Sequence, residues 1–244
     1  ETDLSLQFET NKKMIVNKWP DAKFIAYLQA YSNTYGPLSK IKDMVQPFLF
    51  NDDVVAISIA TRPDCLDEEK IEYLNSLTNI KEIWIELGLQ SSNDTTAEYI
   101  NRRHDFKVLE DCVSMLKSTN LKTCIHIING LPNETSIDMI NTIKDVNNLN
   151  IDAVKIHMLS ITKNTKLSLL HKDNPIKLLT LNEYVEITVN QLRLLKPEII
   201  VQRLTGDPVK EDLIEPSWLP KKTIVLNEID KYMAKNNYYQ GDLL

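Results

Sequence analysis

Cys124-Ile-His-Ile-Ile-Asn-Gly-Leu-Pro-Asn-Glu-Thr135 reads as an apolar strand that runs straight into a Gly-Leu-Pro turn and the start of a helix. Similar junctions precede it. Ile83-Trp-Ile-Glu-Leu-Gly-Leu-Gln-Ser91 is followed by Asn101-Arg-Arg-His-Asp105, and Ser58-Ile-Ala-Thr-Arg-Pro-Asp-Cys65 closes an earlier apolar run. In each, polar residues stand where an apolar run ends, which in a parallel α/β protein is the rim where ligands bind and chemistry is done.

Working outward, the pattern alternates with a short period. Residues 2–18 predict a helix with apolar Leu4, Phe8 and Ile15, stopped at Trp19-Pro20. Strands are expected over 23–28, 54–59, 82–87, 123–128, 153–159 and 198–202, and further helices over 37–49, 67–77, 94–101, 106–118, 134–146, 181–195 and 221–235. A longer loop is expected between the fifth strand and the helix at 181. Apolar strands that each lead to a helix mean a parallel sheet covered on both faces. No Gly/Ser-rich linker interrupts the chain, so 1–244 reads as one domain, with 198–240 as a C-terminal extension.

The bulk numbers bound the function. A chain of 244 residues has room for one barrel-type domain or two small ones, and 43% hydrophobic with 25% charged residues describes an ordinary globular protein. No run approaches the roughly 18 apolar residues of a membrane helix, and the opening Glu1-Thr-Asp-Leu has no signal-peptide pattern; the expectation is a cytoplasmic protein with no membrane partner. The missing initiator Met suggests a processed chain or a piece of a longer one. A net charge of −6 and a pI near 5.3 provide no bulk field for nucleic acid. Cys65, Cys112 and Cys124 read as reduced thiols without metal-ligand spacing. With five glycines the chain has neither a Walker P-loop nor a Gly-rich dinucleotide fingerprint.

Several residues could carry chemistry, and each has a plainer explanation. Glu86, Gly88 and Gln90 share a face if the strand continues through them; either a ligand or a neighbouring strand's polar layer would satisfy them. His126 shares a face with Cys124 and Ile128, and His157 repeats the situation two residues after Lys155. Each histidine alone is a core residue by default, but two His and a Lys on adjacent strands suit a ligand cavity. Gly130–Thr135 is a tight turn with Asn133 as the expected cap, or an anion site at a helix N-terminus. Asp64 is expected to cap a turn, leaving Arg62 free to grip a carboxylate. The polar and aromatic stretch Gln29–Pro37 is a loop or a binding edge. Trp84 is expected in helix–strand packing, and the Lys pairs 12–13 and 221–222 on solvated faces.

Ala60-Thr-Arg-Pro-Asp64, Glu86-Leu-Gly-Leu-Gln-Ser91, Asn101-Arg-Arg-His104 and His126–Thr135, in this order, resemble the elongator/coproporphyrinogen-oxidase branch of the radical S-adenosylmethionine (SAM) enzymes. Tyr27–Tyr35, Thr61–Leu66, Lys155-Ile-His157 and Arg203-Leu-Thr-Gly-Asp207 resemble its YhcC-type group. The resemblance implies a partial (β/α)6 TIM-type barrel and a [4Fe–4S] cluster on Cys-x-x-x-Cys-x-x-Cys. That cluster gives one electron to SAM, yielding a 5′-deoxyadenosyl radical that abstracts hydrogen from a substrate. It also implies an electron donor such as flavodoxin or ferredoxin, and tRNA among the substrate classes, the substrate itself being unknown.

This sequence departs from the family at the cluster: it has no Cys-x-x-x-Cys-x-x-Cys, and it begins after the place of the family's first strand and cluster loop. The expectation is a core fragment, inactive alone; the alternative is a cluster-less binding module on the same barrel. The resemblance carries SAM contacts to Ala30, Tyr31, Ser32 and Asn33 on the amino-group side, without the family's Gly-Gly pair. It carries polar contacts to Gln90, Arg102 and His126, and adenine-side contacts to His157 and Leu159. Ala60 stands where many relatives have a SAM-binding Glu, and Arg103 where a Gly is usual. With its first strand lacking, residues 23–28 form an exposed edge through which the chain is expected to dimerise, unless helix 2–18 covers it.

Overall fold

The computed structural model describes residues 3–206 and 208–244. Its strands are β1 (Phe24–Leu28), β2 (Val54–Thr61), β3 (Glu82–Gln90), β4 (Lys122–Asn129), β5 (Ala153–Met158), β6 (Ile161–Thr162), β7 (Ile200–Arg203) and β8 (Leu213–Glu215). The helices are α1 (Leu4–Val16), α2 (Leu38–Leu49), α3 (Glu68–Leu77), α4 (Asp94–Tyr99), α5 (Phe106–Leu116), α6 (Ser136–Asn148), α7 (Lys166–Asp173), α8 (Leu181–Leu194) and α9 (Lys222–Asn236). Six strands form one sheet in the order β1-β2-β3-β4-β5-β7; β6 and β8 make a separate antiparallel pair. The chain packs as two compact units, Glu1–Gly88 with Val108–Cys124, and Leu89–Lys107 with Ile125–Leu244.

In the first unit β1, β2 and β3 pair in parallel, with Ala26 opposite Ile57, Leu28 opposite Ile59, and Ile57 and Ile59 opposite Ile83 and Ile85. These residues are buried, each isoleucine contributing roughly 1.5–3 kcal/mol by leaving water. Helix α2 buries Ile41, Val45, Phe48 and Leu49, and α5 buries Leu109, Cys112, Val113 and Leu116, the three- and four-residue spacing that gives a helix one apolar side. Helix α1 buries no residue; it is held by Phe8, whose ring lies 5.8 Å from Phe24 and 5.5 Å from Phe48, and by Lys12 on Asp53 at 2.6 Å.

The second unit is knit by buried amides. Asn129 and Gln191 exchange hydrogen bonds of 2.7 and 2.8 Å, and Gln191 also donates to Met139 O at 2.9 Å, tying the end of β4 to α8 and α6. Both side chains are buried, so each needs the other. The C-terminal segment is latched by Arg193, which bonds Asp242 at 2.8 Å and stacks 3.5 Å over Tyr238.

The six expected strands and all eight expected helices are present, their ends shifted by at most three residues. The expected loop before residue 181 holds β6 and α7, and β8 follows β7; strands of two and three residues are too short to show a period. The helix after Gly130 starts at Ser136, not Glu134. Its cap is Thr135, in a box with Asp138, whereas Asn133 turns the chain at φ 68°. Thr135 wins because its hydroxyl accepts from the Asp138 N–H while the Asp138 carboxylate accepts from Thr135.

Candidate functional site

The first unit carries a polar sheet face opposite its apolar one. Ala56, Ser58 and Ala60 pair with Glu82, Trp84 and Glu86, and side chains in such register share a face. Ser58 Oγ donates to Glu86 Oε1, both residues buried. Buried Trp84 lies on this face and its Nε1 donates to Glu82 at 2.6 Å; the indole N–H needs an acceptor when buried.

The loop after β1 is fixed by Asn33. Its side chain donates to Leu28 O and Ala60 O, both at 2.8 Å, and its N–H to Ala60 O at 3.1 Å, clamping the ends of β1 and β2. Ala30 is exposed, and Tyr31 projects with 96% of its surface free at φ 64°. The Cys65 thiol points at Asp64 Oδ1, 3.9 Å away, and burial pushes its pKa up. Arg62 is not free for a ligand carboxylate: its Nε holds Asp64 at 2.8 Å and its Nη2 bonds the same carboxylate. Asp64 lies two residues away, within reach of the guanidinium fork.

In the second unit, Gln90 ends β3 with φ at 63°, a strained value for a side-chain-bearing residue. Buried Arg102 braces it: Nη1 donates to Leu89 O at 2.7 Å and to Ser91 O, Nε to His104 O at 2.8 Å, and Nη2 to Asp94 at 3.1 Å. Every nitrogen of its guanidinium therefore meets an acceptor within the chain. Burial lowers the Arg102 pKa, against the pull of Asp94. Arg103 stands at φ 73°, which explains physically why a Gly would suit that position.

His126 on β4 and His157 on β5 meet with ring centroids 5.3 Å apart and planes tilted by 32°, so the two strands do present these histidines to one another. Lys155, two residues before His157, is 7% exposed. Leu159 N–H donates to Asn129 O at 2.9 Å, fastening the end of β5 to that of β4.

The sequence reading missed Glu134. Its carboxylate accepts from Ser91 Oγ, yet burial raises its pKa. It lines a cavity of about 1030 Å³ together with Tyr99, Lys144, Leu179, Glu186 and Asn190. Gly130, at φ 83°, borders this cavity where a Cβ would come within 3.1 Å of Leu179. The Gly-Leu-Pro turn was the visible signal; the helix face completing the cavity lies some fifty residues away.

The thiols do not fit an iron–sulfur cluster. Cys65, Cys112 and Cys124 are buried on a 310 turn, α5 and β4, and burial pushes the Cys112 thiol up to about 12, whereas cluster ligation needs thiolates.

The radical SAM superfamily model matches residues 8–146, more than half of the chain, and the Radical_SAM C-terminal domain model matches 151–235. The chain belongs to the radical SAM superfamily. It is 40% identical to YtqA of Bacillus subtilis over 239 residues, covering 98% of this chain and 74% of that protein. It is 28% identical to YhcC of Escherichia coli over 223 residues, 91% of this chain and 72% of that one. Among solved structures, Elp3 of Methanocaldococcus infernus superimposes with a TM-score of 0.81 at 18% identity, over 98% of this chain and 60% of that chain. The radical SAM chain thus has the partial (β/α)6 barrel fold of that Elp3, a parallel α/β class. Among its described residues no helix is long and apolar enough to cross a membrane.

Proposed function

We propose that this chain is the SAM-binding core of a radical SAM enzyme. The observation that carries it is the set of polar side chains on a largely apolar sheet, buried Ser58 on buried Glu86 in one unit and half-buried His126 against half-buried His157 in the other, in a member of that superfamily. In this reading the exposed Ala30–Ser32 backbone, shaped by Asn33, receives the SAM amino group. The Gln90 amide, on a stretch of backbone that Arg102 holds at Leu89 O and Ser91 O, and His126 supply polar contacts, and His157 with the Leu159 segment faces the adenine. Radical formation needs an electron from a [4Fe–4S] cluster. The thiols of this chain do not fit one, so its residues are assigned binding and orientation only. That same misfit favours the second reading, a non-catalytic binding module; a Cys-x-x-x-Cys-x-x-Cys in a longer form of the protein would decide against it.

tRNA enters as a substrate class because the chain is 25% identical, over 185 residues, to the tRNA uridine(34) acetyltransferase of Methanocaldococcus jannaschii, spanning 75% of this chain and 33% of that protein. Tyr31 and Tyr35, both well exposed, would give bases a stacking surface, although the net charge of −6 provides no general attraction.

Calorimetric titration with SAM tests the assignment. Without a cluster to anchor the amino and carboxylate groups, saturable binding is expected in the high-micromolar range, about −5 kcal/mol, weakened in His157→Ala. Sub-micromolar binding would contradict the cluster's anchoring role, and no saturation at millimolar SAM would refute the SAM site.

A further inference from the structure

The cavity beside Gly130 takes no part in the reading above, and none of the residues assigned to SAM lines it. It lies wholly within the second unit. Ile137, Ile140, Asn141 and Lys144 line one side, at the three- and four-residue spacing of a single face of α6. Glu183, Glu186, Ile187 and Asn190 repeat that spacing on α8. Beyond the cavity Asn147 ties the two helices together, donating to Leu194 O at 2.6 Å and accepting from Lys196 N–H at 3.0 Å. Residues 174–179 form a further wall, fastened by contacts within the chain. Ile176 N–H donates to His171 Nδ1 at 3.0 Å, and Trp218 Nε1 donates to Leu179 O at 3.2 Å. The volume, about 1030 Å³, matches the upper end of the range for small-molecule pockets, about 300–1,000 Å³.

The walls select the occupant. Tyr99, Ile137 and Leu170 are large, apolar and exposed where they line the cavity, a surface of the kind that ligands cover. Of the five charged side chains in the lining, Lys177 and Glu183 answer one another at 4.0 Å, and Glu134 accepts from Ser91. Lys144 on α6 and Glu186 on α8 are left. Among the described residues, which do not include Asp207 of the Arg203–Asp207 motif, neither makes a hydrogen bond or ion pair. The side-chain amides of Asn141 and Asn190, each one turn from one of these charges, make none either. A carboxamide both donates and accepts, as a peptide group requires of its partner. An ammonium and a carboxylate on separate helices suit a ligand with the opposite charges at its two ends.

We propose that this cavity binds a short free peptide with apolar side chains, its ammonium on Glu186, its carboxylate on Lys144 and its backbone amide on Asn141 and Asn190. A segment within a longer chain offers no such pair of ends, so the charges commit the site to a free peptide. The proposal does not rest on the SAM reading.

The probe is the dipeptide phenylalanyl-leucine, titrated calorimetrically into the chain at low salt beside its N-acetyl and C-amide forms. Saturable binding is expected, with a Kd between about 10 μM and 1 mM. Each blocked form should bind about three- to tenfold more weakly, between the effects of an exposed ion pair and of a charged hydrogen bond. Glu186→Gln should weaken the free dipeptide by the same factor and leave the N-acetyl form unchanged. Lys144→Gln should weaken the free dipeptide and leave the C-amide form unchanged. Both side chains are exposed and unpaired among the described residues, so both variants are expected to melt as the wild type does. Ile137→Arg, at an exposed apolar position, should weaken all three probes. No saturation at about 10 mM dipeptide, blocked forms that bind as tightly as the free one, or variants that weaken every form equally overturn the proposal.

SAM carries an amino-acid end of its own, so competition separates the two sites. Dipeptide binding that saturating SAM does not displace, and that His157→Ala leaves intact, supports the separate cavity. Displacement by SAM overturns it. Dipeptide binding in a chain that binds no SAM refutes the SAM reading and leaves the peptide site standing.

Discussion

Arg102 provides the sharpest test of how the end of β3 is held. Arg102→Ala removes the donors to Leu89 O, Ser91 O and His104 O, and the ion pair to Asp94. The Asp94 side chain is 56% exposed, so that pair contributes little; the three carbonyls decide the magnitude. Hydrogen bonds to a charged group contribute about 1.5–3 kcal/mol each. Allowing for water reaching some of the freed carbonyls, the expected loss is about 4 kcal/mol, within the range for breaking a buried charged network. For a chain of this length that lowers the melting temperature by about 8–16 °C. Arg102→Lys can reach at most two of the carbonyls and should lose about half as much. Urea unfolding followed by circular dichroism measures both. The brace also holds Gln90 at φ 63°, so Gln90→Gly should stabilise the wild type by a few tenths to about 1 kcal/mol and do little in Arg102→Ala, where the strand end is free to relax. An Arg102→Ala protein within about 1 kcal/mol of wild type, or a Gln90→Gly gain that is the same in both backgrounds, would refute the brace.

Arg103→Gly, at φ 73°, should raise the melting temperature slightly, since relief of left-handed strain outweighs the added freedom of the unfolded chain by up to about 1 kcal/mol; a lower melting temperature sinks this. Burial holds the folded Glu134 carboxyl above its ordinary 4.5, so the folded state binds the proton more tightly and stability falls as pH rises from 4.5 toward the raised value; Glu134→Gln should flatten that slope, and an unchanged slope would discredit the assignment. β1 stands at the end of the sheet order, with Ile25 56% exposed, and we expect sedimentation to show a concentration-dependent dimer that Ile25→Lys abolishes; a monomer at all concentrations rules the edge out.

The alternation of side chains made the strand faces readable in advance. His126 and His157 were assignable to one side because the period of a strand is local, and their 5.3 Å contact follows from it. What parity cannot say is who answers a polar side chain. Asn129 belongs to the opposite parity from His126, and its partner Gln191 lies 62 residues on. Arg102 could be singled out as polar and close to the site, but its acceptors are main-chain carbonyls, which leave no mark in a sequence. Arg62 shows the converse: its partner is two residues away, so its engagement lies within reach of a local reading of the sequence.

The backbone adds an argument that side-chain chemistry does not. Asn101, Asn133, Asn164 and Asn237 adopt positive φ, which asparagine tolerates well. Tyr31, Gln90 and Arg103 do so as well, and for such side chains each left-handed turn costs about 1–2 kcal/mol relative to Gly. Tyr31 follows β1, Gln90 ends β3 and Arg103 adjoins the brace, so this strain lies at or beside the residues proposed to bind SAM. Strain of this kind persists only where its surroundings over-determine the backbone. For Gln90 that determinant is visible, since Arg102 holds the carbonyls on both sides of it. Backbone held by an intramolecular brace is fixed before any ligand arrives, so less conformational freedom would be lost on binding. The strain at Gln90 and the Arg102 brace that imposes it are therefore one feature, and it is the feature of this rim that fits the proposed binding role.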